Sequence, residues 1–438
     1  MLGMDMDSLN RDITRTPLFH MGGRLKSCAG VLTSTLQAAV GDQVAIMPKA
    51  GPPVLAEVIG FHDTFSQLVP YDPVDDLRPD MPVIRKGRGL TVPVGDGLLG
   101  RVIDGLGRPL DGLGPIVGCT PVSVNRPPPA AMSRARIDTP FVTGIRAIDG
   151  MLTCGRGQRI GIFAGSGVGK STLLGEITKG CESDVNVIAL IGERGREVKP
   201  FLDDCLGEEG MSRSVVVVAT CEQTPLMRVR ATQSAIAIAD HFRGGGRNVL
   251  VMIDSLTRLA MARRELGLLQ GEPPSSRGYT PSVFQELANV IERLGNASVG
   301  GITALLTVLV DGGDLDEPVS DAVRGFVDGH IVLDRKIAER GFYPAIDVAR
   351  SISRVAADVA DPEHKLAARK FRDILATYDQ VKDLIRIGMY QRGMNPKTDK
   401  AVELMPDVEK FLKQDVGERS GYQDTRAKLL ELTKRWAY

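Results

Sequence analysis

Lys170, Ser171, Glu193 and Asp254 bring together an ammonium, a hydroxyl and two carboxylates, the groups that moving a phosphoryl group to water requires. The first two close the run Gly161-Ile162-Phe163-Ala164-Gly165-Ser166-Gly167-Val168-Gly169-Lys170-Ser171-Thr172. There an apolar strand enters a glycine-rich turn and a helix opens at Gly169-Lys170-Ser171. Glycines allow successive backbone N–H groups to close on a polyphosphate, and the helix N-terminus adds unpaired donors and a partial positive charge. Ala164, Gly165, Ser166, Gly167, Val168, Gly169, Lys170, Ser171 and Thr172 are therefore the expected nucleotide cradle. Lys170 would reach the β and γ phosphates, and the Ser171 hydroxyl would take one position on Mg²⁺. Ala164 stands where the strict form of this motif has glycine, and it is small enough for the turn. A chance glycine turn ahead of a helix is the bland alternative; the strand before and the helix after argue against it.

Such groups work only if a framework holds them at one place. Beyond the turn, strands alternate with helices, the pattern of a mostly parallel sheet covered on both faces. Strands are expected at 185–191, 215–220, 248–254, 301–310 and 330–333, with a helix over 228–242. Ligands of open parallel sheets sit at the carboxyl ends of the strands. Lys170 follows the first strand, Glu193 follows 187–191 through Gly192, and Asp254 terminates 249–253. Asp254 fits a carboxylate that holds Mg²⁺ directly or through water. Glu193 is placed to polarise the attacking water, although a surface acid paired with Arg194 or Arg196 is the alternative. Cationic charge on the transferred group could come from Arg194, Arg196, Arg258 or Arg354, and periodicity does not choose among them.

The remainder of the chain reads as two further domains. Short β-rich runs between Gly22 and Val92, separated by turn clusters such as Lys49-Ala50-Gly51-Pro52-Pro53, favour a small antiparallel barrel. Three Asp-Gly pairs then mark tight turns between Val92 and Gly112, and Asn125-Arg126-Pro127-Pro128-Pro129 is an extended connector. After Pro362, apolar residues recur at helical steps through Ala368, Phe371, Ile374, Leu375, Tyr378, Val381, Leu384 and Ile385, a stripe better suited to packing than to binding. Helices over 405–412 and 426–436 follow. The chain is thus an α/β protein with a flexible segment at 1–20, a β-barrel domain at 21–92, a P-loop parallel-sheet domain at 93–362 and a helical domain at 363–438. With Lys+Arg and Asp+Glu equal at 54 each, it lacks the basic excess of a nucleic-acid binder. It has no apolar run of about 18 residues that would span a bilayer. Its scattered Cys28, Cys119, Cys154, Cys181, Cys205 and Cys221 suit free thiols in a reducing cytoplasm, with no zinc site.

Taken together, Ala-Gly-Ser-Gly-Val-Gly-Lys-Ser at 164–171, Gly-Glu-Arg-Gly-Arg-Glu at 192–197 and Asp-Ser-Leu-Thr-Arg at 254–258 resemble the catalytic subunits of rotary-type ATPases. So do Gly-Glu-Pro-Pro at 271–274, Tyr-Pro-Ala-Ile-Asp at 343–347 and Ser-Ile-Ser-Arg at 351–354, collinearly over most of the chain. Within that group, Ala164, Gly-Arg-Glu-Val at 195–198, Gly-Tyr-Thr-Pro-Ser-Val-Phe at 278–284 and Asp-Gly-His-Ile-Val-Leu at 328–333 are most similar to type III secretion export ATPases, flagellar or injectisome. Pro225-Leu226-Met227-Arg228 leans to the flagellar branch.

The resemblance implies a RecA-like ATPase domain binding ATP or ADP with Mg²⁺, in a homohexamer with nucleotide between neighbours. Lys170 and Ser171 would hold phosphate and metal, Asp254 the metal and Glu193 the water. Arg354 would be an arginine finger entering the adjacent subunit's site, Arg194 would touch the γ-phosphate, and Tyr343 would stack on adenine. The acidic segment 311–318 would face a central coiled-coil stalk, with a solvated acidic turn as the alternative reading. A regulatory or peripheral-stalk protein, export-gate membrane proteins and substrate–chaperone complexes are the other implied partners. The setting would be cytoplasmic, peripheral to the inner face of the cell membrane. Rival readings are a catalytic subunit of a rotary proton-translocating ATP synthase, a Rho-type ring helicase, and a non-hydrolysing structural subunit. The missing basic excess and a barrel without Trp disfavour the helicase.

Overall fold

The structure, a computed structural model, describes residues 22–29, 31–393 and 395–438. The expected segment 1–20 lies outside them. The chain divides into two compact units, one running to Leu90 and including Leu269–Gly271, the other comprising Thr91–Leu268 and Glu272–Tyr438.

In the first unit β1 (Gly22–Ala29), β2 (Val31–Ser34), β3 (Asp42–Ile46), β4 (Val54–His62), β5 (Phe65–Pro70) and β6 (Pro82–Arg88) close into a barrel in the order β1-β2-β5-β4-β3-β6. Alternating apolar residues fill it, among them Leu25, Leu36, Val44, Val58, Leu68 and Val83.

The second unit opens with β7 (Thr91–Val94), β8 (Val102–Asp104) and β9 (Thr120–Ser123), followed by the two-residue strands β10 (Pro140–Phe141) and β11 (Cys154–Gly155). Its main sheet then uses β12 (Arg159–Ala164), β13 (Val185–Ile191), β14 (Ser214–Ala219), β15 (Asn248–Asp254), β16 (Gly295–Asn296), β17 (Gly301–Leu309), β18 (Gly329–Leu333) and β19 (Ile346–Ser353). The order is β19-β18-β12-β17-β15-β13-β14-β8, with β16 paired to β17. All neighbours along this path are parallel except β18 and β19. β13 and β14 are buried along their whole length, which is why they read as nearly continuous apolar runs, interrupted only by Asn186 and the opening Ser214.

Between Val92 and Gly112 the chain does more than turn. Val102–Asp104 pairs with β14 as the sheet's edge, and only then does the Asp104 carboxylate, accepting from the N–H groups of Leu106 (2.9 Å) and Arg108 (2.8 Å), close the turn at Asp104-Gly105. A three-residue strand is too short to show an alternation of its own.

The C-terminal stripe also ends sooner than its spacing suggests. The helix Pro362–Asp379 buries Phe371 and Ile374, and Lys382–Arg386 is a separate short helix that leaves Leu384 exposed. Pro396–Leu412 and Tyr422–Lys434 pack against the first helix and seat Trp436 completely out of solvent. The Trp436 indole N–H donates to Asp373 Oδ2 at 3.0 Å. The helices therefore share a core with the sheet.

Candidate functional site

Strand β12 delivers the chain to the glycine turn, and Gly167 (φ 78°) and Gly169 (φ 83°) take the left-handed conformations that a Cβ would oppose. Helix Lys170–Gly180 begins at once, leaving Ser171 and Thr172 exposed in a first turn whose N–H groups have no intrahelical partner. Lys170 turns back over the sheet. Its ammonium bonds Asp254 Oδ1 and lies 3.7 Å from Glu193 Oε1.

The sheet order explains that meeting. Asp254 ends β15, which is separated from β12 by β17 alone, and Glu193 follows β13, next to β15 on the other side. Asp254 is also held from β17, where the buried Thr307 hydroxyl donates to its Oδ1 at 2.7 Å. Gly192 (φ 69°) swings the chain so that Glu193 faces Lys170; a Cβ on Gly192 would stand 2.8 Å from the Arg258 Cβ. Burial pushes the Glu193 carboxyl above its ordinary pKa, and the Asp254 carboxylate adds to the rise. Lys170 and Arg258 pull it partly back. A half-desolvated carboxylate of raised basicity, one residue from a strand end, is suited to general-base work.

The structure thus brings Lys170, Glu193 and Asp254 together at the carboxyl ends of three strands. Arg258, one of the four arginines the sequence left open, lies against Gly192 with its Nε buried and without a hydrogen-bond partner among the described residues. Arg194 is exposed and turned to Glu197, 3.4 Å away on the same helical turn. The exposed Tyr343 approaches the turn from the far side: a Cβ on Gly169 would lie 3.3 Å from its ring.

Arg354 stands elsewhere. Ser353 is level with Gly329, whereas the turn leaves β12 at Ala164, level with Leu333. Arg354, one residue further and level with Asp328, therefore lies five residues of strand, about 16 Å, back along the sheet, toward its other end. There its N–H donates to Asp328 O and its guanidinium to Arg324 O (2.9 and 3.2 Å), on an exposed surface. Arg354 is therefore remote from the Lys170 of its own chain.

Sequence reasoning did not find Thr307. Its signal is a lone hydroxyl amid Leu305, Leu306, Val308 and Leu309, but only the strand order places it against Asp254.

Ser171 and Asp254 offer hard oxygen donors, and no group of three or more His, Cys, Asp or Glu forms a metal cage among the described residues. That donor set fits Mg²⁺, which takes one or two protein ligands and fills its octahedron with phosphate oxygens and water.

Residues 144–353 match the model of the ATP synthase alpha/beta family, nucleotide-binding domain, and residues 360–431 that of the T3SS EscN ATPase C-terminal domain. The flagellum-specific ATP synthase of Bacillus subtilis (strain 168) is 48% identical over 434 residues, covering 98% of this chain and 99% of that one. The type 3 secretion system ATPase of Xanthomonas euvesicatoria is 42% identical over 429 residues, covering 97% of both. Among solved structures, the assembled ATPase EscN of the enteropathogenic E. coli type III secretion system superposes with a TM-score of 0.90 at 43% identity, over 94% of this chain and 100% of that one. EscN in complex with its central stalk EscO gives 0.88, with the same identity and coverage.

Proposed function

The chain belongs to the type III secretion ATPase family, flagellum-specific ATP synthases included, and we propose that it hydrolyses ATP to energise protein export through a flagellar apparatus. The observation that carries this reading is the convergence of Lys170, Glu193 and Asp254 behind the glycine turn. The flagellar branch is favoured over the injectisome by the higher identity to the Bacillus subtilis relative. The match of residues 360–431 to a secretion-ATPase C-terminal domain weighs against a rotary synthase subunit.

Each residue has a definite task in this reading. Backbone N–H groups of 165–169 and the ammonium of Lys170 bind the phosphates, so Lys170 exchanges its carboxylate partners for phosphate oxygens. Ser171 and Asp254 hold Mg²⁺, which when bound neutralises charge on the phosphate oxygens. Glu193 orients a water and takes its proton as the water oxygen bonds to the γ phosphorus and the bond from that phosphorus to the bridging oxygen breaks, releasing ADP and phosphate. Arg258, against Gly192, supplies cationic charge on the Glu193 side. Tyr343 receives the base. Arg194 is placed to swing from Glu197 toward the γ-phosphate. Arg354 completes the neighbouring site, which its position at the other end of the sheet supports.

That division of labour calls for a ring of identical subunits, here a homohexamer. A central stalk is inferred by analogy with EscN and EscO. A regulatory or peripheral-stalk protein, export-gate proteins and substrate–chaperone complexes complete the proposed partners, with a cytoplasmic location at the membrane's inner face. No helix among the described residues is long and apolar enough to cross a membrane.

Steady-state hydrolysis of Mg²⁺-ATP per subunit, measured against protein concentration without any partner, tests the reading. Specific activity should climb as the chain self-associates. Turnover near zero at every concentration, with ATP still bound, would reject the self-sufficient ring.

A further inference from the structure

Asp254 has two partners that bond its carboxylate among the described residues, Lys170 and Thr307, and both meet it at Oδ1. One of them cannot stay. If Lys170 is to bind phosphate, the carboxylate is left at that moment with Thr307 alone. The Thr307 hydroxyl is wholly buried on β17, the strand that separates β12 from β15, and its bond to Oδ1 at 2.7 Å is shorter than its alternative to Ile253 O at 3.3 Å. Burying a hydroxyl among leucines and valines is unfavourable unless it is bonded, and valine would fill the same space without that demand.

The same strand end is tied a second time. Leu309 N donates to the Thr257 hydroxyl at 2.9 Å, three residues beyond Asp254. The carboxylate and the helix that follows it are thus both tied to β17, independently of the Lys170 ammonium.

From this we infer that Thr307 is a positioning residue for the metal-binding carboxylate: its hydroxyl holds the Asp254 oxygens oriented toward Mg²⁺ after Lys170 has left for phosphate. The inference rests on the proposed role of Asp254 and goes beyond it by naming what keeps that role available. Partners of this kind around a ligand typically alter metal affinity about tenfold or more when removed.

The test compares Thr307→Val, which removes the donor at nearly constant shape, with Thr307→Ser, which keeps it, in the full-length chain. Binding of a fluorescent ADP is followed first in EDTA and then on titration with Mg²⁺, without turnover. Thr307→Val should bind ADP in EDTA within about twofold of wild type, yet need about tenfold more Mg²⁺ for the metal-dependent tightening. Thr307→Ser should titrate close to wild type. Thr307→Val with a wild-type Mg²⁺ titration would overturn the inference, as would equal defects in Thr307→Val and Thr307→Ser. If the valine variant fails to fold, Thr307→Ala removes the same donor without adding bulk and decides on the same criteria. A wild-type protein whose ADP binding ignores Mg²⁺ would instead sink the assignment of Asp254 on which the inference stands.

Discussion

Glu193 owes its proposed chemistry to where it is buried rather than to what it is. Its raised pKa comes chiefly from lost solvation and then from Asp254. A base works only when deprotonated, so activity should fall as pH drops through that raised value. The acid limb of kcat/KM, which reports the free enzyme, should therefore lie above the ordinary glutamate pKa of about 4.3. Arg258→Met removes a charge that holds the value down and should move the limb to still higher pH. A limb at the ordinary glutamate value would remove Glu193 as the base. Glu193→Gln should keep nucleotide affinity and lose about 10²–10⁴-fold in turnover, measured by comparing ADP binding with single-turnover hydrolysis. At this scale the sequence was most informative where residues are adjacent: 164–172 form one local turn, so their order alone describes the cradle. Thr307 acts on Asp254 from another strand and no local pattern marks it; Arg258 stood among the candidate arginines, but only the fold sets it beside Gly192 and Glu193 rather than Arg194, Arg196 or Arg354.

Strands and helices differ in how openly they announce themselves. β13 and β15 occur at the expected positions 185–191 and 248–254, because strands buried on both faces are continuous apolar runs. β8 escaped notice because its partner, β14, is more than a hundred residues away and its own three residues show no period. Past residue 379 the stripe continues on a separate short helix, Lys382–Arg386, because apolar spacing does not mark the break between two helices. The last helix was expected from its spacing alone, and the burial of Trp436 just beyond it, with the indole bonded to Asp373, makes it part of the packing. Trp436→Ala should cost about 3–5 kcal/mol, read as a lower midpoint in chemical denaturation. An unchanged midpoint would mean that the helix docks without it.

At the scale of the whole molecule, Arg354 and Lys170 occupy different ends of one sheet, so the assembled protein should tolerate defects shared out between chains. Lys170→Ala should bind nucleotide poorly, and Arg354→Ala should fold normally but not turn over. Mixed in equal amounts and reassembled, the two should recover activity at the roughly one quarter of junctions that pair an intact lysine with an intact arginine. Hydrolysis no greater than the sum of the separate variants would place both groups within one chain. A different practical matter follows from the edge strand at Val102–Asp104. A fragment begun at Gly144, where the nucleotide-binding family model starts to match, lacks that strand and bares the flank of Ser-Val-Val-Val-Val-Ala at 214–219, an uncharged row of open hydrogen-bonding groups. Such a fragment should stick to copies of itself by adding strand to strand, whereas one begun at Thr91 should stay dispersed in gel filtration. The sheet's solubility is thus supplied from a stretch of chain that precedes its first phosphate-binding residue by some sixty positions.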